Sequence, residues 1–233
     1  MNLTNTYLVN GPESVQFMDM AQLATGGKLY LGDPDHVDVM VKPDVLSAHM
    51  EFRIAAGKIV GLVNDPTRTL VDKHHAAKQI AEKLQEKLGK TKNLLTKRAE
   101  SLEKEAMATA DDDLGPKSER AVIQSEIRGW LREQTRSTDG LEKIRKAMAK
   151  TDSYDLAATI WNSPSFLTGI PHDTHEELRF EALESHRPDL YAKISNSLAL
   201  KKMADKYDAT MRKIPVAFYN PVIAEQFKKR VEV

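Results

Sequence analysis

The sequence predicts an α+β protein that is mostly α: a small N-terminal antiparallel β subdomain, then a long heptad-patterned helix and a helical bundle. Three observations predict this. Short apolar runs broken by turn residues fill the chain from Val15 to Val63. An apolar seam at helical spacing follows from Ala77 to Ala106. Beyond Asp111, cap residues and prolines divide the rest into helix-length pieces. The expected divisions are residues 1–64, 65–113 and 114–233.

In the first division, Lys28-Leu29-Tyr30-Leu31, Val37 to Val41, Met50 to Ala55 and Lys58 to Val63 read as strands. Ala56-Gly57 is the expected hairpin turn between the last two, with glycine supplying a positive φ. Asp65-Pro66 then opens a helix, since Asp caps free N–H groups and proline is tolerated at the first helical position. Ala77, Ala81, Leu84, Leu88, Thr91, Leu95, Ala99, Leu102 and Ala106 follow at spacings of three and four, with one slip near Leu95 to Ala99. A continuous helix to Ala110 would be about 65 Å long, whereas a compact chain of this length is only about 45 Å across. Its seam would then want a partner. The alternative is a break at Gly89, because glycine costs about 1 kcal/mol in a helix interior.

Asp111-Asp112-Asp113-Leu114-Gly115-Pro116 ends that helix, with acidic residues opposing the macrodipole. Further helices are expected from Lys117 to about Gln134, Asp139 to Ala149, Asp152 to about Trp161, from Asp173, from Pro188 to about Arg212, and after Asn220-Pro221. Trp130, Trp161, Phe166, Phe180, Tyr191 and Tyr207 are the expected aromatic core of this part.

Composition narrows the function classes. The 233 residues carry 34 Lys plus Arg against 34 Asp plus Glu, so no global field draws the chain to nucleic acid or anionic membrane. With 0 Cys, thiolate catalysis, disulfide frameworks and cysteine-ligated metals are excluded. No segment reaches the roughly 18 apolar residues of a membrane span, and no signal-peptide pattern opens the chain. A soluble protein made in the cytoplasm is expected.

The search for catalysis finds little. His172 and His175 share a helix face beside Glu176, a metal pair without an identified third ligand; a polar helix entry explains the same residues. The Asp33-Pro34-Asp35-His36-Val37-Asp38 loop lacks the glycine and glutamate of a calcium loop. Gly26-Gly27-Lys28 lacks the remainder of a phosphate loop. No catalytic residue, metal site or cofactor is assigned, and no small-molecule substrate is expected. Cations outnumber carboxylates between Arg68 and Lys104, so Lys90, Lys92, Lys97 and Arg98, with the C-terminal Lys228-Lys229-Arg230, are candidate phosphate contacts. Aromatic residues are not interleaved with them, which argues against base stacking.

The stretch Ala157-Ala158-Thr159-Ile160-Trp161-Asn162-Ser163-Pro164-Ser165-Phe166-Leu167-Thr168-Gly169-Ile170, followed by a Glu-rich helix, resembles a segment of uncharacterised tailed-bacteriophage structural-module proteins. The likeness covers about residues 155–212. It implies a virion component near the portal or neck, a head–tail connector for example, made in the host cytoplasm, and it carries over no functional residues.

The function expected from the sequence is therefore that of a non-enzymatic, multi-copy structural protein. It would act on itself or other virion proteins through the seam residues Ala77, Ala81, Leu84, Leu88, Leu95 and Leu102. A DNA-associated packaging or ejection factor is the alternative, and a metal-dependent hydrolase ranks below it.

Overall fold

A computed structural model describes residues 6–150 and 152–227, and among these the N-terminal β subdomain is absent: no strand occurs. Lys28 to Leu31 lie in a helix, α2 (Ala24–Leu31), which follows α1 (Pro12–Gln22). Val37 to Val41 form a bend and turn. Met50 to Ala55 and Lys58 to Val63 belong to one helix, α3 (Lys42–Val63), which runs through Ala56-Gly57 without interruption. The strand reading followed β-branched residues and a glycine, both weak local preferences. The deciding pattern is the buried set Val45, Ala48, Phe52, Ala55, Ala56 and Ile59, whose spacing of three and four is helical. Pro43 in the first turn starts the helix at no hydrogen-bonding cost.

The heptad segment is a single helix, α4 (Leu70–Leu114), continuous across Gly89. The later elements are α5 (Ala121–Gln134), α6 (Gly140–Met148), α7 (Tyr154–Asn162), α8 (Ser165–Thr168), α9 (His172–His186), α10 (Pro188–Phe218) and α11 (Pro221–Gln226). The chain divides into two compact units whose boundary runs through α4 and α10. One comprises Met1–Ala99 with Leu198–Val233, the other Glu100–Ser197.

The first unit packs α1, α2 and α3 with the start of α4 and the end of α10. Phe17 is its aromatic hub, with ring centroids 4.7 Å from Tyr30, 5.7 Å from Phe52 and 6.4 Å from Phe218. Such tilted and edge-on pairs add about 0.5–1.5 kcal/mol each beyond burial. Pro215 lies inside α10 and removes the N–H that would bond the Met211 carbonyl. Gln85 of α4 replaces it, its Nε2 donating to that carbonyl at 2.9 Å. Lys92 pairs with Asp208 at 2.6 Å along the same two helices. Asn220 begins α11, and its backbone N–H donates to Nδ1 of buried His74 at 3.0 Å.

In the second unit, Ala106, Ala110 and Leu114 pack with Ala158, Trp161, Leu183, Leu190 and Ile194. A neighbouring cluster joins Leu131, Ile144, Met148, Ile160, Leu178 and Ala182. The acidic end of α4 is offset by partners: Trp161 Nε1 donates to Asp111 at 2.9 Å, and Arg187 pairs with Asp113. Its last carbonyls are also taken. Tyr154 Oη donates to that of Asp113 at 2.6 Å and Asn162 Nδ2 to that of Leu114 at 3.1 Å. The expected aromatic core holds for Trp161 in this unit and for Tyr207 in the first, whereas Phe166 is 77% exposed.

Candidate functional site

The seam of α4 is occupied by the chain itself. Ala77, Ala81, Leu84, Leu88 and Leu95 are buried in the first unit, and Leu102 in the second. None of these side chains is presented to another molecule. Their apolar spacing records core packing, and the slip near Leu95 to Ala99 falls where the seam passes from one unit's core to the other's.

An apolar stripe that is not covered lies on α3. Opposite the buried set, Leu46, Met50 and Ile54 recur every four residues and are 48%, 52% and 39% exposed. Gly57 and Gly61 continue the same face, also exposed. A Cβ built on either glycine would meet nothing within 4 Å. Each glycine weakens the helix by about 1 kcal/mol relative to alanine, and no neighbour within the fold requires one. The face therefore has knobs at its N-terminal half and hollows at its C-terminal half. The pairs Leu46 with Gly61 and Met50 with Gly57 are both centred at Arg53-Ile54. Sequence reasoning missed this face because it read Met50 to Ala55 and Lys58 to Val63 as two strands joined by a turn at Ala56-Gly57; the signal was the four-residue recurrence of Leu46, Met50 and Ile54.

Three of the four candidate phosphate contacts that lie among the described residues are paired with a carboxylate. Lys90 pairs with Glu86 at 2.6 Å, Lys92 with Asp208, and Arg98 with Asp38 at 3.0 Å in a half-buried setting. Lys97 has no ion pair within 4.0 Å among the described residues. Lys228, Lys229 and Arg230 lie outside the described residues.

Cations collect instead on the flank of α3. A cleft of about 340 Å³ between α3 and α4 is lined by Lys58, Lys83 and Lys87, by Arg68 from the connecting segment, and by one carboxylate, Glu51. Lys83 and Lys87 are one helical turn apart, an arrangement of like charges that costs a few tenths of a kcal/mol. A wider hollow of about 750 Å³ in the same unit is lined by Phe17, Tyr30 and Val216 with Glu13, Arg212 and Lys213. There the Lys213 ammonium lies 5.5 Å from the Tyr30 ring centre.

The histidines do not assemble a metal centre. His175 is buried, with Nδ1 4.0 Å from Glu176 Oε1, while Glu176 accepts two bonds from Arg179 at 3.0 and 3.1 Å. Burial, reinforced by the Arg179 charge, holds the His175 imidazole below its usual range. Burial alone does the same for His74, whose Nδ1 accepts a hydrogen bond and so is unprotonated. Among the described residues no group of three or more His, Asp or Glu is placed to hold a metal ion. The Asp33 and Asp35 carboxylates of the N-terminal loop are both taken by Lys28. No helix among the described residues is long and apolar enough to cross a membrane. No protein-family model, curated protein or solved structure matches the chain.

Proposed function

We propose that this is a non-enzymatic assembly protein whose copies join through the outward face of α3. The observation that carries the proposal is the self-complementary pattern of that face. In an antiparallel pair of α3 helices, a two-fold axis at Arg53-Ile54 sets Leu46 of one copy over Gly61 of the other and Met50 over Gly57. A two-fold interface uses the same patch twice, so a patch must contain both the knob and its hollow. Glycine at the hollows lets the helices approach closely, which explains two residues that the isolated fold does not need. Arg53 lies at the edge of the stripe, where its stem can cover apolar surface while its guanidinium reaches water. The strip from Leu46 to Gly61 is about 24 Å long at 1.5 Å per residue and one helix wide, so it covers less than the roughly 800 Å² per partner of a standard interface. The pair is accordingly expected to be in exchange with monomer at micromolar concentration. The phage-like segment extends the proposal to a setting, a multi-copy virion part.

The absence of cysteine gives a clean test. Ile54→Cys places one thiol beside the axis, and oxidation should yield a disulfide-linked dimer because the two copies bring that position within bridging distance. Phe166→Cys, exposed in the other unit, should remain monomeric under the same treatment. Equal cross-linking of the two variants, or none, would overturn the proposal.

A further inference from the structure

We infer that the cleft between α3 and α4 binds a linear chain of phosphates, the chemistry shared by inorganic oligophosphate and the backbone of single-stranded nucleic acid. Lys58 faces the cleft from α3, Lys83 and Lys87 face it from α4, and Arg68 lies in the segment that joins them. No carboxylate lies within 4.0 Å of the three lysine ammonium groups among the described residues. Arg68 spends only its Nε on Asp65, at 3.1 Å. Glu51 is the single opposing charge in the lining. Three other cations of α4, Lys90, Lys92 and Arg98, are each held by an acidic partner.

A concave site lined by one sign of charge focuses its field inward and concentrates ions of the opposite sign. The lining also includes Ile80 and Leu62, which lowers the local polarity and strengthens attraction between the ammonium groups and an anion. Lysines act as point charges that meet phosphate without a fixed approach angle, so a row of them suits a repeating anion. The volume of about 340 Å³ admits a few phosphates in line rather than a duplex. No aromatic residue lines the cleft, so a nucleic acid would be held by its backbone, without base preference.

The test uses the full chain with two probes, sodium tripolyphosphate and a fluorescein-labelled oligothymidylate, followed by calorimetry and by anisotropy. Binding of at least one probe is expected at low salt. For the oligothymidylate, log K should fall against log salt with a slope of about −2 to −3, as three or four neutralised phosphates dictate. The triple variant Lys58→Gln, Lys83→Gln, Lys87→Gln should lose at least tenfold in affinity while keeping its helical circular dichroism. Lys90→Gln with Lys97→Gln should bind as the parent does. Tripolyphosphate binding alone identifies free oligophosphate as the source; oligothymidylate binding displaced by tripolyphosphate identifies a nucleic-acid backbone. Met50→Glu, which strikes the proposed self-contact, should leave either titration unchanged. Failure of both probes to saturate, or a triple variant that binds undiminished, would overturn the inference.

Discussion

The seam of α4 and the outward face of α3 are both apolar stripes at helical spacing, yet they do opposite things. On α4, Ala77 through Leu102 disappear into the chain's own packing, and Gln85 and Lys92 tie the flank of the same helix to α10. On α3, Leu46, Met50 and Ile54 remain about half exposed beside two glycines that no neighbour requires. Periodicity thus marks a stripe but does not say what covers it. The informative feature is a residue that costs stability without an internal reason, and Gly57 and Gly61 are that feature here.

The contrast between the stripes can be broken most forcefully at Leu88. Leu88→Ala should destabilise the first unit by about 2–5 kcal/mol, because it opens a cavity in a packed core. Met50→Ala should stay within about 0.5 kcal/mol in dilute protein, as surface changes usually do. Chemical denaturation of the two variants separates them, and equal losses would show that the α3 face is also internal packing. Gln85→Ala should cost about 1 kcal/mol, since it leaves the partly buried Met211 carbonyl without that donor; the same measurement on Gln79→Ala should show almost nothing.

Acid should loosen the cores before it touches the α3 face. His74 and His175 have lower pKa values in the folded state than the 6.5 of a free imidazole, both chiefly through burial. The unfolded chain therefore binds more protons below about pH 6.5, and stability is complete above that value and declines as pH falls through it. His74→Asn, whose side-chain oxygen can accept the Asn220 N–H, should flatten that decline. An unchanged slope would remove His74 from the account.

The smallest expected effect is a gain. Gly57→Ala with Gly61→Ala should raise monomer stability by up to about 2 kcal/mol, because alanine stiffens an exposed helix. The added methyl groups fill the hollows, so the same variant should self-associate less. A more stable protein that is less oligomeric is an outcome that ordinary core packing does not produce.

Much of the later fold was legible in the residues. Asp173, Pro188 and Asn220-Pro221 mark helix starts that the structure places within a residue or so of expectation, and the continuity of α4 across Gly89 follows from an unbroken seam. The N-terminal region was not, for a physical reason. Ile54, Ile59, Val60 and Val63 favour strands locally, and Gly57 favours a turn, but burial of Val45, Phe52 and Ile59 on one helical face, with Phe52 against Phe17, outweighs those preferences. The cleft lysines were partly legible as a local excess of cations. Which of them pair with acids depends on tertiary contacts such as Lys92 with Asp208 and Arg98 with Asp38, and spacing along one helix does not encode those.

The most direct test of the central claim is absolute mass by light scattering over a tenfold concentration range. It compares the parent protein with the variant Gly57→Gln, Gly61→Gln. The parent is expected to rise from monomer toward dimer while the variant stays monomeric and unfolds at a higher denaturant concentration. A parent that is monomeric throughout, or a variant that still dimerises as the parent does, would contradict it.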